Sequence, residues 1–238
     1  MAAPGELAEK AYLTVLLNNP VLSAYADEHL AEIRQSFLPV VPSSDVEMKE
    51  HSKNYAEWLK NHLAQGSIDD IAMWLAQKPS PTVLMYQAYG INSYMFYTEE
   101  CDEKASYQNS SVRTECMTVD EADKRVYNGT IKEIWELDYV KVKVALFRCA
   151  WIPLGHVKVD DYRNTSANRT TMVYHVDQFI LASDATQIFF VEDPLRKNFH
   201  VVMHGKRRVL GVDDVAHEDE DDEFAELPAK GSRTRVTE

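Results

Sequence analysis

The stretch from Tyr127 to Trp151, YNGTIKEIWELDYVKVKVALFRCAW, constrains this chain more than any other. It reads as two long strands joined by a tight turn. In the first arm Tyr127, Gly129, Ile131, Trp135, Leu137 and Tyr139 share one side of a period-two pattern, and Asn128, Thr130, Lys132, Glu136 and Asp138 share the other. Glu133 and Ile134 interrupt the alternation, so a disturbed pleat is expected there. In the second arm Val142, Val144 and Leu146 alternate with Lys141, Lys143 and Ala145. The apolar side then switches, with Phe147, Cys149 and Trp151 flanking Arg148. A bulge or sharp bend gives such a switch where one strand serves both sides of a small closed barrel.

The segments before this pair are helical in pattern. Gly5 to Leu17 is one candidate, and Val21 to Phe37 follows Pro20 with Leu22, Tyr25, Ala26, His29, Leu30 and Ile33 at three- and four-residue steps. Ser44-Asp45-Val46-Glu47 has the form of a capping box. The helix it starts aligns Met48, His51, Tyr55, Trp58, Leu59 and His62, and Gly66 is its expected stop. A short helix around Ile71, Trp74 and Leu75 ends at Lys78-Pro79. From Thr82 the texture becomes β-branched and aromatic. Strands are expected at Thr82–Tyr89, Tyr94–Thr98, Val112–Val119, Val157–Asp160, Phe179–Leu181, Thr186–Glu192 and Phe199–Met203, with Glu99–Ser111 and Tyr162–His175 as polar loops. The fold class is therefore α+β: a helical segment over residues 1–80, a small, bent, mostly antiparallel β-barrel over 81–212, and a disordered acidic tail over 213–238.

Charge divides the same way. Residues 1–124 carry a net −10, residues 125–210 a net +4 and residues 211–238 a net −7. The strand-rich block is thus mildly basic between acidic flanks. Lys206-Arg207-Arg208 is its sharpest cluster. With Lys141, Lys143, Arg196 and Lys197 it would line one side of the barrel and meet phosphates; the alternative is a solvated turn balanced by the tail.

Other chemistry finds little support. No apolar run approaches the ~20 residues of a membrane helix. Ala11 to Leu17 is short and preceded by Glu6 and Glu9, unlike a secretory signal. Cys101, Cys116 and Cys149 lack paired spacing and read as reduced thiols. His51 and His62 share a helix face but stand too far apart for one metal, and no zinc-binding, phosphate-loop or nucleophile-elbow motif is present. Glu99-Glu100, Asp160-Asp161, Glu192-Asp193 and Asp213-Asp214 are sequence neighbours, which do not by themselves converge on a metal pair. Tyr86, Tyr89, Tyr94, Phe96 and Tyr97 crowd one hairpin, either as core or as an aromatic cage for methylated lysine. No catalytic residue, cofactor, metal or small-molecule substrate is expected.

One ordered series of motifs goes further. It comprises Tyr86-Gln87-Ala88-Tyr89-Gly90-Ile91-Asn92, Phe96-Tyr97-Thr98, Gln108 to Val112, Gly129 to Tyr139, Val144 to Trp151 and Val157 to Tyr162. Phe179 to Ser183, Gln187 to Asp193, His200-Val201-Val202 and Gly205 to Arg208 complete it. This series resembles the carboxy-terminal region of plant transposases of the CACTA (En/Spm) class, including a domain of unknown function found there. Tyr25, His29, Glu50-His51 and Trp58-Leu59 resemble the helical segment that precedes it. Glycine is usual in that family where this chain has Ala88, Ser93, Val140, Lys141 and Arg163; positions needing positive φ would then be strained here. The family's catalytic carboxylates lie in a separate upstream segment, and nothing here matches it.

The resemblance implies a transposon-derived, nuclear plant protein (alternatively cytoplasmic) that is not an enzyme. It implies an accessory module meeting DNA or chromatin, with other transposon-encoded proteins as further partners and no membrane. The alternative is a protein-interaction or oligomerisation scaffold without nucleic-acid binding. The barrel is expected to be similar in kind to Tudor and bromo-adjacent-homology modules.

Overall fold

The computed structural model describes residues 4–40, 42–64, 70–104, 108–117, 124–174, 178–205 and 234–235. Helix α1 (Pro4–Asn18) runs to Asn19, whose side chain accepts the Val21 N–H and opens a 3-10 turn, Pro20–Leu22. Helices α2 (Ser23–Ser36) and α3 (Ser44–Ala64) follow. Glu47 does not close the expected capping box. The N–H groups of Val46 and Glu47 go to the Ser43 carbonyl, and Glu47 is instead 3.0 Å from Arg34 Nε, tying α3 to α2. The expected stop at Gly66 lies outside the described residues; α4 (Asp70–Ala76) comes next.

The strands are β1 (Leu84–Tyr86), β2 (Ala88–Ile91), β3 (Tyr94–Tyr97), β4 (Ser111–Met117), β5 (Lys124–Asp138) and β6 (Lys143–Trp151). After them come β7 (Val157–Val159), β8 (Thr165–Asn168), β9 (Phe179–Leu181), β10 (Thr186–Glu192), β11 (Phe199–His204) and the two-residue β12 (Thr234–Arg235). A one-turn helix, α5 (Glu99–Asp102), and strand β8 occupy segments expected as loops. Every pairing is antiparallel. The long sheet runs β12-β1-β5-β4-β10-β11-β8-β7, with β6 on the other edge of β5 and β9 beyond it; β2 and β3 form a separate hairpin.

The expected closed barrel is therefore an open, curled half-barrel among the described residues. Strand β5 is long enough to serve two partners along one edge: β4 pairs with its first half, β1 with residues 134–136. The sheet branches there instead of closing. Helix α1 packs against β9, whose Phe179 and Leu181 join the same core as Ala11, Val15 and Leu16.

The disturbed pleat is a β-bulge. Ile131 faces Cys149 and Glu133 faces Arg148, leaving Lys132 as the extra residue of β5. The bulge changes the face assignment drawn from alternation alone. Ile134 takes over the side of Ile131, while Trp135, Leu137 and Tyr139 turn to the opposite side and meet α1, α3 and α4. Strand β6 needs no bend of its own. Val144 and Leu146 enter the core under the helices, and Phe147, Cys149 and Trp151 enter a second core with Tyr94, Phe96, Val112, Ile131 and Ile134. The apparent switch of its apolar side is one regular strand buried on both faces. A third cluster, Ile152, Ala167, Ile188 and Phe190, lies inside the β7–β8–β11–β10 portion.

Gly129 is required by close approach: a Cβ there would stand 2.4 Å from the Ala150 carbonyl oxygen and 2.6 Å from the Trp151 ring. Five non-glycine residues have positive φ: Asn92 (53°), Ser93 (63°), Val140 (72°), Arg163 (64°) and Asn198 (70°). Ser93, Val140 and Arg163 are three of the positions where the transposase pattern carries glycine; Ala88 and Lys141 are not in that region. Asn92 and Ser93 together make the two-residue turn of the β2–β3 hairpin, a twist that suits adjacent antiparallel strands.

Candidate nucleic-acid interface

The cations singled out by sequence fall on two hairpins. Lys141 and Lys143 belong to the β5–β6 turn, next to the helical core. Lys143 Nζ is 3.0 Å from Glu136 Oε1, and that hydrogen bond raises its pKa. Its charge is therefore already matched, while Lys141 is exposed without an ion pair among the described residues. Arg196 and Lys197 form the tip of the β10–β11 hairpin, both exposed and both without an ion pair among the described residues. Strand β4 separates the two hairpins in the sheet order. Lys206, Arg207 and Arg208, which hold three of the four excess positive charges of residues 125–210, lie outside the described residues. So does the acidic run of the tail.

Two further cations in this part of the sheet carried no distinguishing sequence signal. Lys158 Nζ lies 5.4 Å from the centre of the Phe199 ring, and the Arg169 guanidinium 4.9 Å from that of Phe190. Cross-strand register explains the first contact. Val201 pairs with Ser166 and Ser166 with Lys158, so these residues share a face with Phe199, two positions along β11. Two of the nearby carboxylates are engaged in turns, while Asp161 and Glu192 are exposed. Asp160 accepts the N–H groups of Tyr162 and Asn164 and the Asn164 side-chain amide, and Asp193 accepts the Leu195 N–H. The Asn164 hydrogen bonds, backbone first, lower the Asp160 pKa, with a smaller contribution from Arg196.

The remaining candidates resolve into structure. Tyr94 and Phe96 are buried in the second core, with Tyr86 and Tyr89 packed against it; four of the five aromatics proposed as a cage thus serve as core. Cys149 is buried, and desolvation pushes its thiol well above the usual range. Glu99 pairs with Lys132 and Glu100 with Lys104. No group of three or more histidine, cysteine or acidic side chains able to hold a metal occurs among the described residues. The Nδ1 atoms of His29 and His51 are 2.8 Å apart in a buried hydrogen bond between α2 and α3, a pairing invisible to the sequence because the two rings lie on different helices. No described helix is long and apolar enough to cross a membrane.

Residues 135–202, from the far side of the β5 bulge to β11, match the family model described as a domain of unknown function, DUF4216. No curated protein matches the chain. No solved structure matches it either.

Proposed function

We propose that this chain is a non-catalytic, transposon-derived accessory module that associates with DNA or chromatin in the nucleus. The observation that carries the reading is the β10–β11 hairpin: Arg196 and Lys197 are exposed at its tip and make no ion pair among the described residues, Asp160 acting on Arg196 only at longer range, and in the sequence its second strand is followed by Lys206-Arg207-Arg208. Exposed cations at a hairpin tip are suited to phosphate oxygens, because no close ion pair must be broken first. The ordered motifs resembling the CACTA transposase region, with the match to a domain of unknown function over residues 135–202, support the transposon origin. The curled sheet is similar in kind to Tudor and bromo-adjacent-homology folds, which is an analogy of shape alone.

The test is binding of a fluorescent DNA duplex at two salt concentrations. Four phosphate contacts predict a loss of affinity of about a hundredfold between 50 and 200 mM salt. The double substitution Arg196→Glu, Lys197→Glu should reduce the slope of log affinity against log salt by about two. No binding at the lower salt sinks the reading, and metal-dependent cutting of the duplex would overturn its non-catalytic part. The second reading, a protein-interaction scaffold, is favoured by apolar side chains on the outside of the same hairpin.

A further inference from the structure

An unbroken apolar run, Phe37-Leu38-Pro39-Val40-Val41-Pro42, joins α2 to α3; Val41 lies outside the described residues. Leu38 and Val40 are 65% and 69% exposed, and Phe37, Val46 and Met48 between 37% and 42%. None of these five belongs to any of the three cores. The backbone around them is tied down. The N–H groups of Phe37, Leu38 and Val40 go to the carbonyls of Arg34, Gln35 and Phe37, and those of Val46 and Glu47 to the Ser43 carbonyl. These turn bonds hold the apolar side chains out in water. Charge also sets the tip apart from a chain of net −13. Ser36 to Ser44 carries no charged residue, and the charges between residues 33 and 49 are Arg34, Asp45, Glu47 and Lys49, which cancel.

We propose that the α2–α3 tip is a self-association surface whose partner is the same tip of a second copy. The five exposed side chains offer apolar surface on the order of 400 Å², a size at which a patch on a monomer marks an interaction site. Two copies of so acidic a chain repel over most of their surface, but not where the local charge is zero. A twofold contact requires a patch that complements itself, and an uncharged apolar tip does so. Its rim does as well. Asp45 and Lys49 are exposed one helical turn apart on α3, so a twofold axis through the tip lets Asp45 of one copy face Lys49 of the other. Nucleic acid finds no excess of cations there to hold it. Face to face, the two patches bury about 800 Å², short of the ~1,600 Å² of a standard stable interface, so the dimer is a weak one.

The experiment is sedimentation equilibrium of the full chain at loading concentrations from about 1 µM to about 1 mM, without nucleic acid. The mass should rise from 27.2 kDa towards twice that value, with a midpoint on the order of 100 µM. The double substitution Leu38→Asp, Val40→Asp should raise the midpoint at least tenfold. Circular dichroism should be unchanged, because both side chains lie outside the cores. Leu38→Lys, Val40→Lys should weaken association in the same way. An equal mixture of the two charged variants should associate again, since opposite charges then meet across the contact. If either charged pair disturbs the fold, Leu38→Ser, Val40→Ser supplies the comparison. A monomer throughout the range overturns the inference, as does a dimer whose midpoint ignores these substitutions. A mixture that stays monomeric shows that the tips do not face each other and overturns it too. Binding to phosphatidylcholine vesicles by a monomeric chain, lost in the Asp variant, would assign the tip to a bilayer instead.

Discussion

Val140 is a β-branched residue at φ 72° in the turn of the central hairpin, a backbone region where its Cβ crowds the following carbonyl. The Val140 N–H is held by Asp138 Oδ1 at 2.7 Å, which fixes the turn despite that cost. Val140→Gly should therefore stabilise the protein by about 1 kcal/mol net of the added unfolded-state freedom, raising Tm by ~2–4 °C in a chain of this size. A lower Tm would show that the turn relaxes around valine. Gly129→Ala acts in the opposite sense, because the new methyl meets a backbone carbonyl and the Trp151 ring, neither of which can move cheaply. A loss of about 1–3 kcal/mol, the usual scale of overpacking, is expected in denaturant unfolding. The two sites also differ in legibility. A turn glycine missing from an otherwise matching pattern is visible in the residues alone, whereas Gly129 within a strand says nothing until Trp151 is seen lying across it.

At the scale of elements, the α2–α3 contact should respond to acid. His51 is buried, and burial followed by the nearness of His29 lowers its pKa to about 4; His29 is lowered by burial too, opposed by Glu32. The facing aromatic groups are Tyr55 and Trp58, and Glu28 pairs with the neighbouring His62. Between pH 6.5 and 4 the unfolded chain binds more protons at these sites than the folded one. The stability His51 contributes is then fully present above pH 6.5 and falls as pH drops towards 4, by up to about 1.4 kcal/mol per pH unit, with His29 acting in the same direction. Denaturant titrations at pH 7, 6 and 5 should show this slope, and His51→Leu should flatten it whatever its effect at pH 7. An unchanged slope would mean that the pair does not titrate in that window.

Most elements could be read from periodicity because each buries a face: β9 and β10 have the expected limits, and the bulge shows as a break in alternation at Glu133 and Ile134. Strand β8 could not. Thr-Ser-Ala-Asn buries only Ala167 and resembles a loop until β7 and β11 flank it. Nor could the two faces of β6 be assigned, since both are apolar and only the tertiary arrangement says which core each enters. For the candidate interface, the exposed charges Arg196 and Lys197 were legible, whereas Lys158 gains meaning only through register with a ring on a non-adjacent strand.

Across the whole molecule, helices and sheet draw on one core: Ala11, Val15 and Leu16 of α1, Tyr55 and Leu59 of α3, and Trp135, Leu137, Val144 and Leu146 of the hairpin. Leu137→Ala should consequently cost about 2–5 kcal/mol. The loss should be the same whether unfolding is followed by far-ultraviolet circular dichroism or by tryptophan fluorescence. Separate transitions for the two signals would show that the helical part melts on its own.

The extra residue at Lys132 has a consequence for where this protein can be cut. Upstream of it β5 is zipped to β4; downstream, its apolar side chains are roofed by helices that come far earlier in the chain. A fragment trimmed to the family boundaries, residues 135–202, would begin just past that hinge in the strand. It would lack both the zipper and the roof, leaving Trp135, Leu137, Val144 and Leu146 bare to water. Such a piece should precipitate on expression or show no cooperative melt, so the recurring sequence unit is shorter than the unit that folds.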